Sequence, residues 1–264
     1  MYSLARLGVG FMFAILTLGP AHADEPAKAQ FQTIRLETLS KDGGQFNWSK
    51  AEFLDALKGG DGWEVLLTSD HAALFRKVKD GPKWEYKAVK IKNSPFATTG
   101  MKDTDAYALI LDRMAADGYT PCAVDGLGLH TLFKRAKDVK PAKAEFTTLM
   151  WKDVIKSPNA PADRFKEKEF VETLNKQGGE CWDVCVCNIH TVVFQKSAVK
   201  WEYKTMKVTK SPLGFNLDMD KDDEAATFKL ILEGLEDKGW KPCACGGSGQ
   251  DILLKRELKK DKKD

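Results

Sequence analysis

The cysteines are the residues whose type and spacing most directly suggest chemistry. Cys185-x-Cys187 and Cys243-x-Cys245 each place two thiols two residues apart, and residues at that spacing on a strand point to the same face. Within one pair the Cα atoms would lie about 6.6 Å apart in parallel orientation, poor geometry for an internal bridge. Between the pairs three outcomes stay open: disulfides joining Cys185 or Cys187 to Cys243 or Cys245 in an oxidising compartment, a four-sulfur site for a soft metal, or thiols that fill buried strand positions. Cys122 aligns with Cys185 and Cys243, so the first half of the chain has one cysteine where the second has two pairs. The pairs should face away from Trp182 and Trp240, toward a neighbouring unit or solvent.

Other candidates are weaker. His71, His130 and His190 each fall near the start of a strand in a different segment, where hairpin duty explains them as well as a shared site does. Asp218, Asp220, Asp222, Asp223 and Glu224 alternate like a calcium loop but lack its central glycine and terminal bidentate glutamate, which leaves a negatively charged helix start. No nucleophile elbow, phosphate loop or His-Glu-x-x-His motif occurs. With no catalytic constellation and no cofactor motif, the expectation is a non-catalytic protein.

What must position these residues is a repeat. Lys83-Trp84-Glu85-Tyr86-Lys87 returns 117 residues later as Lys200-Trp201-Glu202-Tyr203-Lys204, followed by Ser94-Pro95 and Ser211-Pro212. Pro121-Cys122-Ala123 matches Pro242-Cys243-Ala244, and Leu132-Phe133-Lys134-Arg135 matches Leu253-Leu254-Lys255-Arg256. A fainter pair joins Phe31, Trp63 and Leu74-Phe75 to Phe146, Trp182 and Val193-Phe194. Fixed-period self-similarity of this kind marks stacked units that cannot bury their apolar faces alone.

Within a unit, the Trp-Glu-Tyr-Lys stretch alternates as a strand and closes at Ser-Pro. Tyr107, Ile110, Leu111 and Met114, like Phe228, Ile231, Leu232 and Leu235, recur at helical spacing and should face a core. Ser49 and Glu52 form a capping box, and Gly59 and Gly178 stand where left-handed helix terminators are expected. Gly-Trp or Gly-Tyr then opens a second strand, and Leu-Phe-Lys-Arg closes a third. The third strand should lie between the first two, antiparallel to both.

The fold class expected is therefore α+β: four β-α-β-β units, each a helix on a three-stranded, mainly antiparallel sheet, paired into two modules. The boundaries read as signal peptide 1–23, linker 24–30, module one 31–137 (units 31–81 and 82–137), linker 138–143, module two 144–257 (units 144–197 and 199–257) and charged tail 258–264. The pattern of Trp-Glu-Tyr-Lys, Leu-Gly, Gly-Trp-Glu and Phe-Lys-Arg resembles a family of small bacterial domains of uncharacterised function. Cys181 departs from it by replacing the glycine before Trp182. The resemblance implies one helix on a small sheet, and no activity or functional residues come with it.

Arg6, an apolar run from Leu7 to Leu18, and Ala21-His22-Ala23 compose an export signal with cleavage expected before Asp24, and a periplasmic or extracellular protein follows. The run is too short to span a bilayer, so no stable membrane insertion is expected. A net charge of +3 with both signs interspersed disfavours nucleic acid. The partner expected is a protein or small ligand held between units. The alternative is a thiol-based metal or redox role for Cys185, Cys187, Cys243 and Cys245.

Overall fold

The computed structural model describes residues 29–35, 62–69, 72–77, 80–97, 103–125, 128–140, 143–155, 165–209, 211–213, 222–246 and 249–259. The export signal, the Ser49 capping box, Gly59 and His71 lie outside them. Strand β1 (Gln30–Arg35) is followed by β2 (Trp63–Thr68) and β3 (Ala72–Lys77), with β1 starting at the last residue of the expected linker. Next come β4 (Trp84–Lys90), α1 (Thr104–Ala116), β5 (Thr120–Val124) and β6 (His130–Ala136). The third segment holds β7 (Phe146–Met150), the single turn α2 (Trp151–Val154), α3 (Lys168–Gly179), β8 (Trp182–Cys187) and β9 (Thr191–Lys196). The last holds β10 (Trp201–Lys207), α4 (Asp222–Glu236), β11 (Lys241–Cys245) and β12 (Asp251–Glu257).

These strands make four separate three-stranded sheets, ordered β1-β3-β2, β4-β6-β5, β7-β9-β8 and β10-β12-β11, and every neighbouring pair is antiparallel. The third strand is central in each. A register shift interrupts the second strand of every sheet at the same place, leaving Leu66, Cys122, Cys185 and Cys243 unpaired with the central strand. An extra residue of this kind bends the strand and breaks the period-two alternation of side chains.

The helical stripes are buried as their spacing requires. Tyr107, Leu111 and Met114 of α1 meet Phe133, and Phe228 and Leu232 of α4 meet Leu254. Asp103 caps α1, its carboxylate accepting the Ala106 N–H at 2.8 Å. Helix α4 begins inside the acidic cluster, whose Asp218 and Asp220 lie outside the described residues.

Gly178 corrects an expectation. It sits within α3 rather than ending it, and a Cβ there would stand 2.3 Å from the Trp201 carbonyl oxygen, so its smallness lets the helix press against β10. Left-handed backbone occurs instead just ahead of each second strand, at Gly62, Gly118, Cys181 and Gly239. Cys181, at φ 65°, is the one with a side chain. Replacing it by glycine, the residue at the other three places, should raise stability by about 0.5–1 kcal/mol, because an L-residue is strained there. Urea denaturation would show this as a higher midpoint at unchanged slope, and an unchanged or lower midpoint would contradict the strain.

Segments contact one another in a closed cycle: β2 touches β5, β5 touches β8, β8 touches β11, and β11 touches β2. Each described long helix also reaches forward to the first strand of the following segment, α1 to β7, α3 to β10 and α4 round to β1. The apolar cores fall at these junctions. One joins Val65 and Phe75 to Tyr86 and Leu132, and another joins Phe31 and Leu74 to Phe228 and Trp240.

Candidate functional site: a central charged cavity

Where the four segments meet, a cavity of about 350 Å³ is lined from all of them. The residue after the aromatic at the start of each second strand contributes Glu64, Thr120, Asp183 and Lys241. The central strands contribute Arg76, Lys134, Gln195 and Lys255, which are register equivalents. Cys185 and Cys243 enter from the strand irregularities.

The paired polar residues near the end of each central strand, basic in all but Gln195, divide by face, since neighbours on a strand point oppositely. While the first of each pair lines the cavity, the second stacks on the aromatic at the start of the second strand, Arg135 also reaching the cavity. Lys77 lies 5.9 Å from the Trp63 ring centre, Arg135 4.6 Å from Tyr119, Lys196 4.5 Å from Trp182 and Arg256 4.4 Å from Trp240. Arg135 and Arg256 also pair with Glu85 and Glu202, the glutamates of the two Trp-Glu-Tyr-Lys strands.

Tyrosines stitch two of the four junctions. The Val65 N–H donates to the Tyr86 hydroxyl at 2.9 Å, and the Val184 N–H donates to the Tyr203 hydroxyl at 3.0 Å. Tyr203 in turn donates to the Trp182 carbonyl at 3.0 Å. Burial, the largest influence on both phenols, holds them far above the ordinary range, so they remain neutral donors. The equivalent residues at the other two junctions are Phe31 and Phe146, which have no hydroxyl.

Beside each tyrosine stands a lysine–carboxylate pair. Lys134 donates to Glu64 at 2.7 Å and to the Val65 carbonyl at 3.1 Å, and Lys255 donates to Asp183 at 2.6 Å and to the Val184 carbonyl at 3.0 Å. Burial works to raise the Glu64 carboxyl, but Lys134 and Arg76 together hold it below the ordinary value. Burial likewise works to lower the Lys255 amine, and the Asp183 carboxylate more than offsets it, so that amine sits above its ordinary range. Glu64 is therefore a carboxylate and Lys255 an ammonium at neutral pH.

Of the three outcomes open for the cysteines the structure shows no disulfide, and the expectation that the two members of each pair share a face is corrected. All six cysteines are free thiols. The two members of each Cys-x-Cys pair also part company, because the shifted register falls between them. Cys187 packs with Val184, Phe170 and Trp182 on the helix side of its sheet, and Cys245 packs with Phe228 and Trp240; Cys185 and Cys243 line the cavity, Cys243 also belonging to the core that holds Cys187. Each thiol donates to its own acceptor: Cys185 to the Gln195 side chain at 3.6 Å, Cys187 to Asn188 O at 3.5 Å, Cys243 to Leu253 O at 3.5 Å and Cys245 to Thr68 O at 3.4 Å. Burial pushes the Cys122 and Cys243 thiols up to about 12, and Cys185 and Cys187 are raised as well, so thiolate character is suppressed. Among the described residues no group of three or more His, Cys, Asp or Glu is placed to hold a metal ion.

The described histidines serve their hairpins. His130 Nδ1 lies 2.6 Å from the Asp125 carboxylate, whose other oxygen accepts the backbone N–H groups of Leu129 and His130. The His190 backbone N–H is taken by the Asn188 side chain in the equivalent turn.

Compared with known proteins, the chain matches no family model, no curated protein and no solved structure. No helix among the described residues is long and apolar enough to cross a membrane.

Apart from Cys185 and Cys243, the cavity residues escaped sequence reasoning, although their trace was there. The Lys-Arg ending recurs in the aligned units, yet its division into inward and outward cations depends on register. Pro121 and Pro242 stand at the strand irregularity, and proline inside a strand belongs at an edge or bulge.

Proposed function

We propose that this chain is an exported, non-catalytic binding scaffold of four β-α-β-β units, paired into two modules, which holds a small ligand in the central cavity. The observation that carries the proposal is that equivalent positions of all four segments converge on one cavity lined by charged side chains. The pairing into modules rests on the two tyrosine-and-lysine junctions, first with second segment and third with fourth, which alternate with the two phenylalanine junctions. The resemblance to the small bacterial domains is part of the same proposal and supplies the unit, not the ligand. A volume of about 350 Å³ lies at the small end of ligand sites.

Thr120 lines the cavity from the second segment, and its replacement by phenylalanine would fill part of it. Protein purified from the compartment to which it is exported, and sprayed gently from volatile buffer, should carry a bound small molecule by native mass spectrometry. The Thr120→Phe protein should not. Equal retention by both proteins, with circular dichroism showing the same fold, would place binding elsewhere and overturn the proposed site.

A further inference from the structure

We infer that the ligand of the central cavity is a small anion bearing several acceptor oxygens, of the phosphate or dicarboxylate class; this rests on the cavity being the binding site. Five cationic side chains line it, Arg76, Lys134, Arg135, Lys241 and Lys255, against two carboxylates, Glu64 and Asp183. Both carboxylates are already engaged. Glu64 accepts from Lys134 at 2.7 Å with Arg76 at 3.9 Å, and Asp183 accepts from Lys255 at 2.6 Å. Arg135 is held by Glu85, and Arg76 turns its other nitrogen to Glu236.

Lys241 is different. Among the described residues it has no ion-pair partner, and it occupies the position where two of the other segments put a carboxylate. Near it is a second donor without an acceptor: the buried indole N–H of Trp201, which lines the same cavity. The Nε of Arg76 is a third buried donor left unpaired. A buried donor without an acceptor costs free energy that an oxygen-rich guest would return. Cationic excess in a partly enclosed, low-dielectric space also concentrates field toward anions.

Access is provided for. Trp201 and Lys241 also line a wider cleft of about 840 Å³, bordered by Lys238, Arg256 and Lys259 on one hand and Glu236, Asp237 and Glu257 on the other. An anion entering from that cleft meets Lys241 at the threshold, before the lysines already committed to carboxylates. A compact ammonium with rotatable donors suits such a guest as a point charge.

The test is calorimetric titration of the full exported chain at about 0.15 M ionic strength, so that nonspecific surface attraction is screened. Inorganic phosphate and malonate serve as anionic probes, putrescine as a cation and glucose as a neutral control. One anionic probe should bind at one site per chain, and Lys241→Gln should weaken it by about tenfold or more, the usual worth of a charged hydrogen bond. Thr120→Phe should abolish it. Putrescine or glucose binding that is lost in Thr120→Phe, with neither anion bound, would keep the cavity as the site and overturn the anion assignment. Failure of both anions while native mass spectrometry still shows a Thr120-sensitive ligand would overturn it equally. Anion binding indifferent to both substitutions would remove the cavity itself.

Discussion

Replacing Lys255 with methionine is expected to lower stability by about 3 kcal/mol, the low end for breaking a buried ion pair because both partners keep some exposure. Methionine preserves most of the aliphatic stem, so packing loss is small. What is lost is the only ion-pair partner of Asp183 among the described residues and a donor to the Val184 carbonyl. The raised amine pKa makes the sign clear: stabilisation from this charge is complete below the ordinary lysine value of 10.5 and disappears only as pH rises through the higher folded value. At neutral pH the substitution therefore removes the whole effect. Adding Asp183→Asn to Lys255→Met should recover much of the loss, since the stranded charge disappears. Urea midpoints for the single and double variants decide it, and a single-variant loss below about 1 kcal/mol would mean the pair is effectively solvated.

Gly178→Ala should destabilise by about 2–3 kcal/mol, the upper part of the range for overpacking, although alanine is the best helix former and glycine nearly the worst. The new methyl carbon would stand 2.3 Å from Trp201 O and 2.7 Å from Tyr203 Cε2, and neither backbone nor a buried ring can yield cheaply. Its neighbour supplies the control. Gly179, in the same helix, has nothing within 4 Å of an added Cβ, so Gly179→Ala should be neutral or stabilise by up to about 1 kcal/mol. Opposite signs at adjacent glycines, measured by thermal or urea unfolding, would confirm the close seat of α3 on β10. Like signs would mean that α3 does not sit close on β10.

Much of the architecture could be read from residues because local chemistry decides it. Tyr107, Leu111 and Met114 form a stripe that only a helix aligns, and the structure buries all three. The central place of the third strand follows from a helical crossover between the first two. Cys185 and Cys187 show where that reasoning stops. Alternation holds only while pairing is regular, and one unpaired residue sent Cys187 to the helix side. Gly178 was misassigned for a related reason: a glycine near a helix end looks like a terminator, and the carbonyl of Trp201 that actually demands it belongs to another segment. Lys241 and Trp201 carried no local signal as a site, because what makes them one is the meeting of all four segments.

The contact of α4 with β1 means that this array has no outermost member. In an open solenoid the terminal repeats expose one unmatched flank and fray first, which is why such proteins need polar caps. Here every segment is flanked on both sides, so removing any one forfeits two junctions instead of one. Units of about 55 residues, each marginal alone, are thereby bound into a loop that has no weak end from which to unzip.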